Sequence, residues 1–203
     1  MNLVKMLPMA FVMVAGPQIL SAVFLATTER WKANSLAYIA GASLSITAIV
    51  TAAFFLIDGV SNEGAADDTI YKVVLALLVV AAIHTYRTRE ESEPPKWMGK
   101  LQDATPGFAF KLGFLLLGIF PTDILTSIAV GSFLSTQGDP WWHALPFIAL
   151  TLLFLAIPAL IVLMLGDRGQ TLLPKVRDWM NNNSWVVNEV VIVFFIAITA
   201  SNL

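Results

Sequence analysis

The chain alternates long apolar runs with short polar connections. Uninterrupted or nearly uninterrupted apolar runs cover about 6–27, 36–57, 70–86, 108–135, 141–166 and 185–201. At 1.5 Å per residue each is long enough to cross ~30 Å of hydrocarbon, the third only just. Apolarity is continuous within each run, whereas a membrane β-strand would alternate polar and apolar over about 10 residues. The pattern therefore predicts an all-α polytopic membrane protein with six transmembrane helices. The first run follows Lys5 and contains Leu20-Ser21-Ala22, which gives it some likeness to a signal peptide. Gly16-Pro17-Gln18 breaks its apolar core, however, so a retained first span is expected.

Composition agrees with the pattern. Apolar residues make up 57% and charged residues 13% of the 203 positions, against about 45–50% and 25% in soluble domains. Cysteine is absent, which removes disulfide scaffolds and thiolate metal sites. A formal charge of −2 is too balanced for a nucleic-acid reader, and no nucleic-acid partner is expected.

The distribution of charge sets the expected orientation. Arg30 and Lys32 follow span 1; Arg87, Arg89, Lys96 and Lys100 follow span 3; Arg168, Lys175 and Arg177 follow span 5. The segments after spans 2 and 4 hold Glu63, Asp67, Asp68 and Asp139 and no cation, and only Lys5 and Lys72 fall toward that side. Both termini are thus expected outside, with three connections in the cytoplasm of a cell membrane. Two of the cytoplasmic segments, 94–106 and 170–185, mix Trp, Leu and Lys as interfacial helices do.

An internal repeat sets the predicted architecture. Span 1 reads Gly16-Pro17-Gln18-Ile19-Leu20-Ser21-Ala22, and span 4 reads Phe120-Pro121-Thr122-Asp123-Ile124-Leu125-Thr126-Ser127. Both give proline, a polar residue, Ile-Leu and a hydroxyl, with one extra residue in the second copy. The loop after span 1 is basic and the loop after span 4 acidic. The expectation is two three-helix repeats, 1–87 and 108–203, related by inversion and joined by a cytoplasmic or interfacial linker, 88–107. Pro17 and Pro121 each fall near the middle of a span. A helical proline frees the carbonyl four residues earlier, here Met13 and Leu117, and kinks the helix. Paired interrupted helices at matching positions in two halves point to a transporter's central site.

Polar residues inside the apolar runs supply the candidate chemistry. Asp123 lies near mid-span, where a charged carboxylate costs roughly 2.5–3.5 kcal/mol; a neutral acid exchanging a proton with a cavity, and hence a proton or cation coupling site, is the expectation. Gln18 faces Asp123 if the halves pack about a central pseudo-two-fold axis. Ser21, Thr122 and Thr126 add hydroxyls nearby, unless these bond to their own helix backbone. With Gly16, Pro17 and Pro121 these residues form the candidate substrate or coupling site. Lys111 and Glu189 form a candidate inner gate, or snorkel to the interface. His84 and His143 fall at opposite membrane faces and cannot share a metal or haem; no metal and no cofactor is expected. Ala37, Gly41 and Ser45 place a small residue every four positions of span 2, a spacing that lets another helix approach closely within the bundle or across a dimer.

Pro17-Gln18-Ile19, Arg30 through Asn34 and Leu36-Ala37-Tyr38 to Gly41 resemble the first half of the Gap-like family. These are the glycopeptidolipid- or sulfolipid-addressing proteins of the LysE transporter superfamily. Trp97 to Asp103, Thr105-Pro106-Gly107-Phe108-Ala109-Phe110-Lys111-Leu112-Gly113, Pro121-Thr122-Asp123, Pro158, Leu173, Arg177-Asp178-Trp179-Met180 and Asn182 extend the likeness along nearly the whole chain. The resemblance implies six helices in a three-plus-three arrangement, export of lipids or small solutes, and a prokaryotic membrane. In one departure, Pro121-Thr122-Asp123 stands where family members tend to carry Pro-Lys-Asn, so a cation is lost and a carboxylate gained.

The leading functional expectation is an exporter of a lipid or small polar solute, with access alternating about Pro17 and Pro121. The competing one is a non-transporting accessory protein that scaffolds lipid synthesis or export. No HExxH, paired intramembrane aspartates, phosphate-binding Gly loop or Ser/His/acid set at one depth supports an enzyme. Membrane lipids and the substrate are the expected partners, and a homodimer is the expected oligomer.

Overall fold

The structure is a computed structural model that describes residues 3–14, 16–58, 101 and 103–182. The described residues form helices and no strand: α1 (Leu3–Val14), α2 (Pro17–Ala26), α3 (Trp31–Asp58), α4 (Pro106–Ile119), α5 (Pro121–Thr136), a 3-10 turn (Trp141–Ala144), α6 (Leu145–Leu165) and α7 (Asp167–Asn182). Predicted spans 3 (70–86) and 6 (185–201), most of the 88–107 linker, His84 and Glu189 lie outside the described residues.

Proline sets several helix starts. Pro17, Pro106 and Pro121 each open a helix. There the missing N–H has no intrahelical acceptor to lose and φ is already helical. Thr105 caps α4, its hydroxyl accepting from the Phe108 N–H at 3.3 Å. The interruptions predicted at Pro17 and Pro121 are therefore breaks between helices, and not kinks with interior carbonyls freed at Met13 and Leu117. Each break has its own cause. Phe120 adopts φ −64°, ψ 125°, the extended conformation that proline's Cδ imposes on the preceding residue. Its N–H still bonds Leu116 O at 3.4 Å, and its carbonyl starts the next helix by accepting from the Asp123 and Ile124 N–H groups at 3.1 Å each. The chain turns by 69° between α4 and α5. Gly16 makes the first break at φ 106°, ψ −140°, a conformation essentially reserved to glycine.

The breaks change the count of spans. Among the described residues, Trp31–Leu56 and Trp141–Leu165 are each long and apolar enough to cross a membrane, and the bent pair α4–α5 makes a third if it is one span. This is fewer than the six expected. Two predicted spans are not described, and the first is divided at Gly16 into helices of 12 and 10 residues, each too short to cross alone.

Packing is reciprocal. α3 lies chiefly against α4 and α5, and α6 lies against α1 and α2, so each broken pair rests on a long helix from the other half of the sequence. The small-residue face of α3 meets α4 within the bundle. A Cβ at Gly41 would overlap the Phe110 carbonyl, and one at Gly113 the Tyr38 carbonyl; only glycine lets these backbones approach so closely. The main core runs through Met13, Tyr38, Ile46, Val50, Leu117, Leu134, Phe147 and Leu155.

The surface is that of a protein solvated by hydrocarbon. Leu44, Phe55, Leu56, Leu115, Ile119, Leu153, Leu163 and Met164 are exposed, while Gln18, Ser21, Asp123, Ser127 and Thr151 are buried. A chain folded in water would invert that distribution, and helices apolar all round belong in lipid. The protein is an all-helical membrane protein.

One end of the bundle gathers α2's last turn, the starts of α3 and α4, the end of α6 and α7. Val23, Ala26, Val162 and Leu173 pack there, with Trp31 against them. Asn34 Nδ2 donates to Thr28 Oγ1 and to the Ala104 carbonyl, both at 2.9 Å, tying the α2–α3 connection to the chain ahead of α4. The exposed cations Arg30, Lys32, Arg168 and Lys175 belong to this end. At the other end Trp141 Nε1 donates to Thr51 Oγ1 at 3.0 Å, and the His143 and Asp139 side chains lie 3.3 Å apart.

Candidate functional site: a buried carboxylate between two broken helices

The two breaks bring together two buried polar side chains, Gln18 and Asp123. Asp123 is the third residue of α5 and Gln18 the second of α2. They meet although 105 residues apart: Gln18 Nε2 donates to Asp123 Oδ2 at 2.6 Å. Both are almost fully buried, at 1% exposure for Gln18 and 0% for Asp123. An uncompensated carboxylate in hydrocarbon is costly, and three features of this geometry offset the cost. The amide supplies a direct donor. The first turn of α5 presents the positive end of its dipole to the carboxylate. Thr122 Oγ1 stands 3.4 Å from Asp123 Oδ1, a longer contact.

Tyr38 of α3 completes the site. Its hydroxyl donates to the Gln18 carbonyl at 3.0 Å. Tyr38 thereby fixes the first turn of α2, and with it the amide that serves Asp123. Gln18 Oε1 has no hydrogen-bond partner among the described residues although it is buried. An acceptor left open beside a carboxylate oxygen suits a ligand that donates: a proton on the carboxyl, a hydroxyl, an ammonium or a weakly hydrated cation.

The sequence-predicted site residues divide into two groups. Gly16, Pro17, Gln18, Pro121, Thr122 and Asp123 are brought together at the breaks. Ser21 and Thr126 lie one turn further on and spend their hydroxyl protons on their own helices, Ser21 on the Pro17 carbonyl at 2.6 Å and Thr126 on the Thr122 carbonyl at 2.7 Å. Their protons are thus unavailable to a ligand, while their oxygens keep a lone pair. Lys111 stands apart: it is exposed on α4, about 13 Å along the helix axis before Phe120. Its proposed gate partner Glu189 lies outside the described residues. Among the described residues no cluster of three His, Asp or Glu side chains could hold a metal ion.

Sequence reasoning passed over Tyr38 and Ser127 as site residues. Tyr38 sits in the small-residue face Ala37–Gly41–Ser45, and a hydroxyl on a face that must pack closely is a signal for a buried polar role. Ser127 is one turn beyond Asp123, buried, with its hydroxyl 4.0 Å from Met13 Sδ. Nothing in its spacing distinguishes it from Thr126.

No curated protein and no solved structure matches the chain. One family does, over residues 6–202, which takes in both breaks, the Gln18–Asp123 pair and nearly all of the remaining sequence. The chain belongs to the SfLAP family, described as Sap, sulfolipid-1-addressing protein.

Proposed function

We propose that the protein is a membrane exporter of a lipid or small polar solute, related to the LysE superfamily, with access alternating about the two broken helices and proton or cation coupling through Asp123. The reading takes the chain as six spans in two inverted three-helix halves, with both termini outside a prokaryotic cell membrane, and it assigns no catalysis. The observation that carries it is the 2.6 Å hydrogen bond between Gln18 and Asp123. It joins the first turns of two half-helices from opposite halves of the chain, the place where such folds hold their ligands. A single bond between two separately broken helices is also one that a change of protonation can remake: ionised Asp123 accepts from the amide N–H₂, whereas the protonated acid donates to the amide oxygen.

The absence of native cysteine makes the test direct. Single cysteines at Thr122 and Thr126 are labelled with a membrane-impermeant maleimide from either side of oriented vesicles, across a pH gradient and its reverse. Alternating access predicts that the reactive side switches with the gradient and that Asp123→Asn locks it to one side. Labelling fixed to one side in every condition would reject the transporter reading.

The second reading is a non-transporting accessory protein for lipid handling. The family description favours it to the extent that it speaks of addressing a sulfolipid. It predicts fixed labelling together with a partner protein that co-purifies in constant ratio.

A further inference from the structure

We infer that α7 is a lipid-reading helix that lies on the membrane surface and seats anionic headgroups along the edge formed by Arg168 and Lys175. This inference stands apart from the transport reading and rests on how the faces of α7 are divided. Leu172, Val176 and Trp179 are exposed at 46%, 38% and 54%. Their four- and three-residue spacings put them in one stripe. Leu173 is buried against Val23, Ala26 and Val162, so the next sector of the helix is already taken by the ends of α2 and α6.

The charges are sorted around the same axis. At about 100° per residue, Arg168 and Lys175 fall on the free flank of the apolar stripe, while Asp167 and Asp178 fall well away from it. Both cations are exposed. A helix with an apolar stripe, cations at its border and acids on the far side lies in the headgroup plane, its stripe in the upper acyl region and its cations at phosphate level. A water-facing α7 would leave Leu172, Val176 and Trp179 wetted. A protein partner covering the stripe gives no reason for Arg168 and Lys175 to share its border. The occupant that matches both features is a bilayer surface carrying negative headgroups. Because Leu173 packs on Val23 and Ala26 of α2, the half-helix that carries Gln18, a headgroup held by α7 is in mechanical contact with the first broken span.

The experiment uses the full chain in nanodiscs of phosphatidylcholine with and without phosphatidylglycerol. First, the Trp179 emission, taken as the difference between wild type and Trp179→Phe, is quenched with lipids brominated high on the acyl chain or with aqueous iodide. The expected result is quenching by the brominated lipid and protection from iodide; the reverse overturns the inference. Second, native mass spectrometry counts retained lipids. The Arg168→Gln/Lys175→Gln variant is expected to lose roughly 25-fold in its preference for phosphatidylglycerol, at about five-fold per cation. Asp167→Asn is expected to leave the preference unchanged. An unchanged preference in the double variant, or a protein cross-linked along the Leu172–Trp179 stripe in place of lipid, overturns the inference. The quenching measurement retains its force if the double variant does not fold.

Discussion

The two broken helices reach the same geometry by different means. The first break depends on one residue's conformational licence: Gly16 sits at φ 106°, ψ −140°, where a side chain is strained. The second needs no unusual backbone, since Phe120 at φ −64°, ψ 125° is where any residue before proline prefers to be. Their settings are reversed as well. The first broken pair lies against α6 through ordinary side-chain packing, whereas the second is pressed against α3 by glycine-to-backbone contacts at Gly41 and Gly113. The first break is therefore demanding inside and lenient outside, and the second the opposite. A buried polar bond between them asks for two rigid half-helix ends, and the chain secures each end where its local sequence permits.

That contrast can be broken at its strongest point first. Gly113→Val drives a side chain into the Tyr38 carbonyl, and overpacking against backbone is expected to cost about 3 kcal/mol or more. A large fall in the unfolding temperature in detergent, with loss of monodisperse protein, is the expected readout. Full stability would mean that α3 and α4 do not approach as closely as described.

Removing the bond between the breaks comes next. Asp123→Ala strands the Gln18 amide in an apolar interior, for an expected loss of about 2–3 kcal/mol. Asp123→Asn keeps a hydrogen-bonding partner of the same shape and is expected to stay within about 1 kcal/mol of wild type. Equal losses in the two variants would show that the pair matters for its charge rather than for its hydrogen bond.

The asymmetry of the breaks is tested by a matched pair. Gly16→Ala must adopt a strained φ and is expected to lose about 1–3 kcal/mol. Phe120→Ala changes no backbone preference and removes a side chain already 39% exposed, so a loss below about 1 kcal/mol is expected. Reversal of that order would refute the account of the two breaks. A similarly small effect is expected for Tyr38→Phe, which deletes the bond to the Gln18 carbonyl at about 0.5–1.5 kcal/mol. If the first break is the one held in place from outside by Tyr38, this variant also increases cysteine reactivity at Gln18→Cys and leaves it unchanged at Thr122→Cys.

Much of the fold was legible because membrane constraints are written in composition. Continuous apolar runs locate α3 and α6 closely, since hydrocarbon allows few ways to satisfy a backbone. The small-residue spacing at Ala37, Gly41 and Ser45 marked a close helix contact. The polar pair was legible as a suspicion, because Gln18 and Asp123 occupy matching places after two prolines. The form of each break was not. Proline in an apolar run is compatible with a kinked helix or with a new helix, and the choice depends on whether the preceding residue is held extended. For Ser21 and Thr126 the sequence left two uses of a hydroxyl open, and the structure assigns each proton to a carbonyl of its own helix. Lys111, grouped with Glu189 as a gate by its place in the sequence, stands exposed on α4 about 13 Å along the helix axis before Phe120.

The sequence by itself determined that this protein lives in a membrane, that it is helical, and that its polar residues near Pro17 and Pro121 require an explanation. These follow from transfer free energies that each segment carries wherever it packs. Only the tertiary structure decided that Gln18 donates to Asp123, that Tyr38 holds the helix presenting that amide, and that α7 offers one face to the bundle and another outward. Those are contacts between residues distant in sequence, set by how closely whole helices approach, and no local pattern encodes that distance.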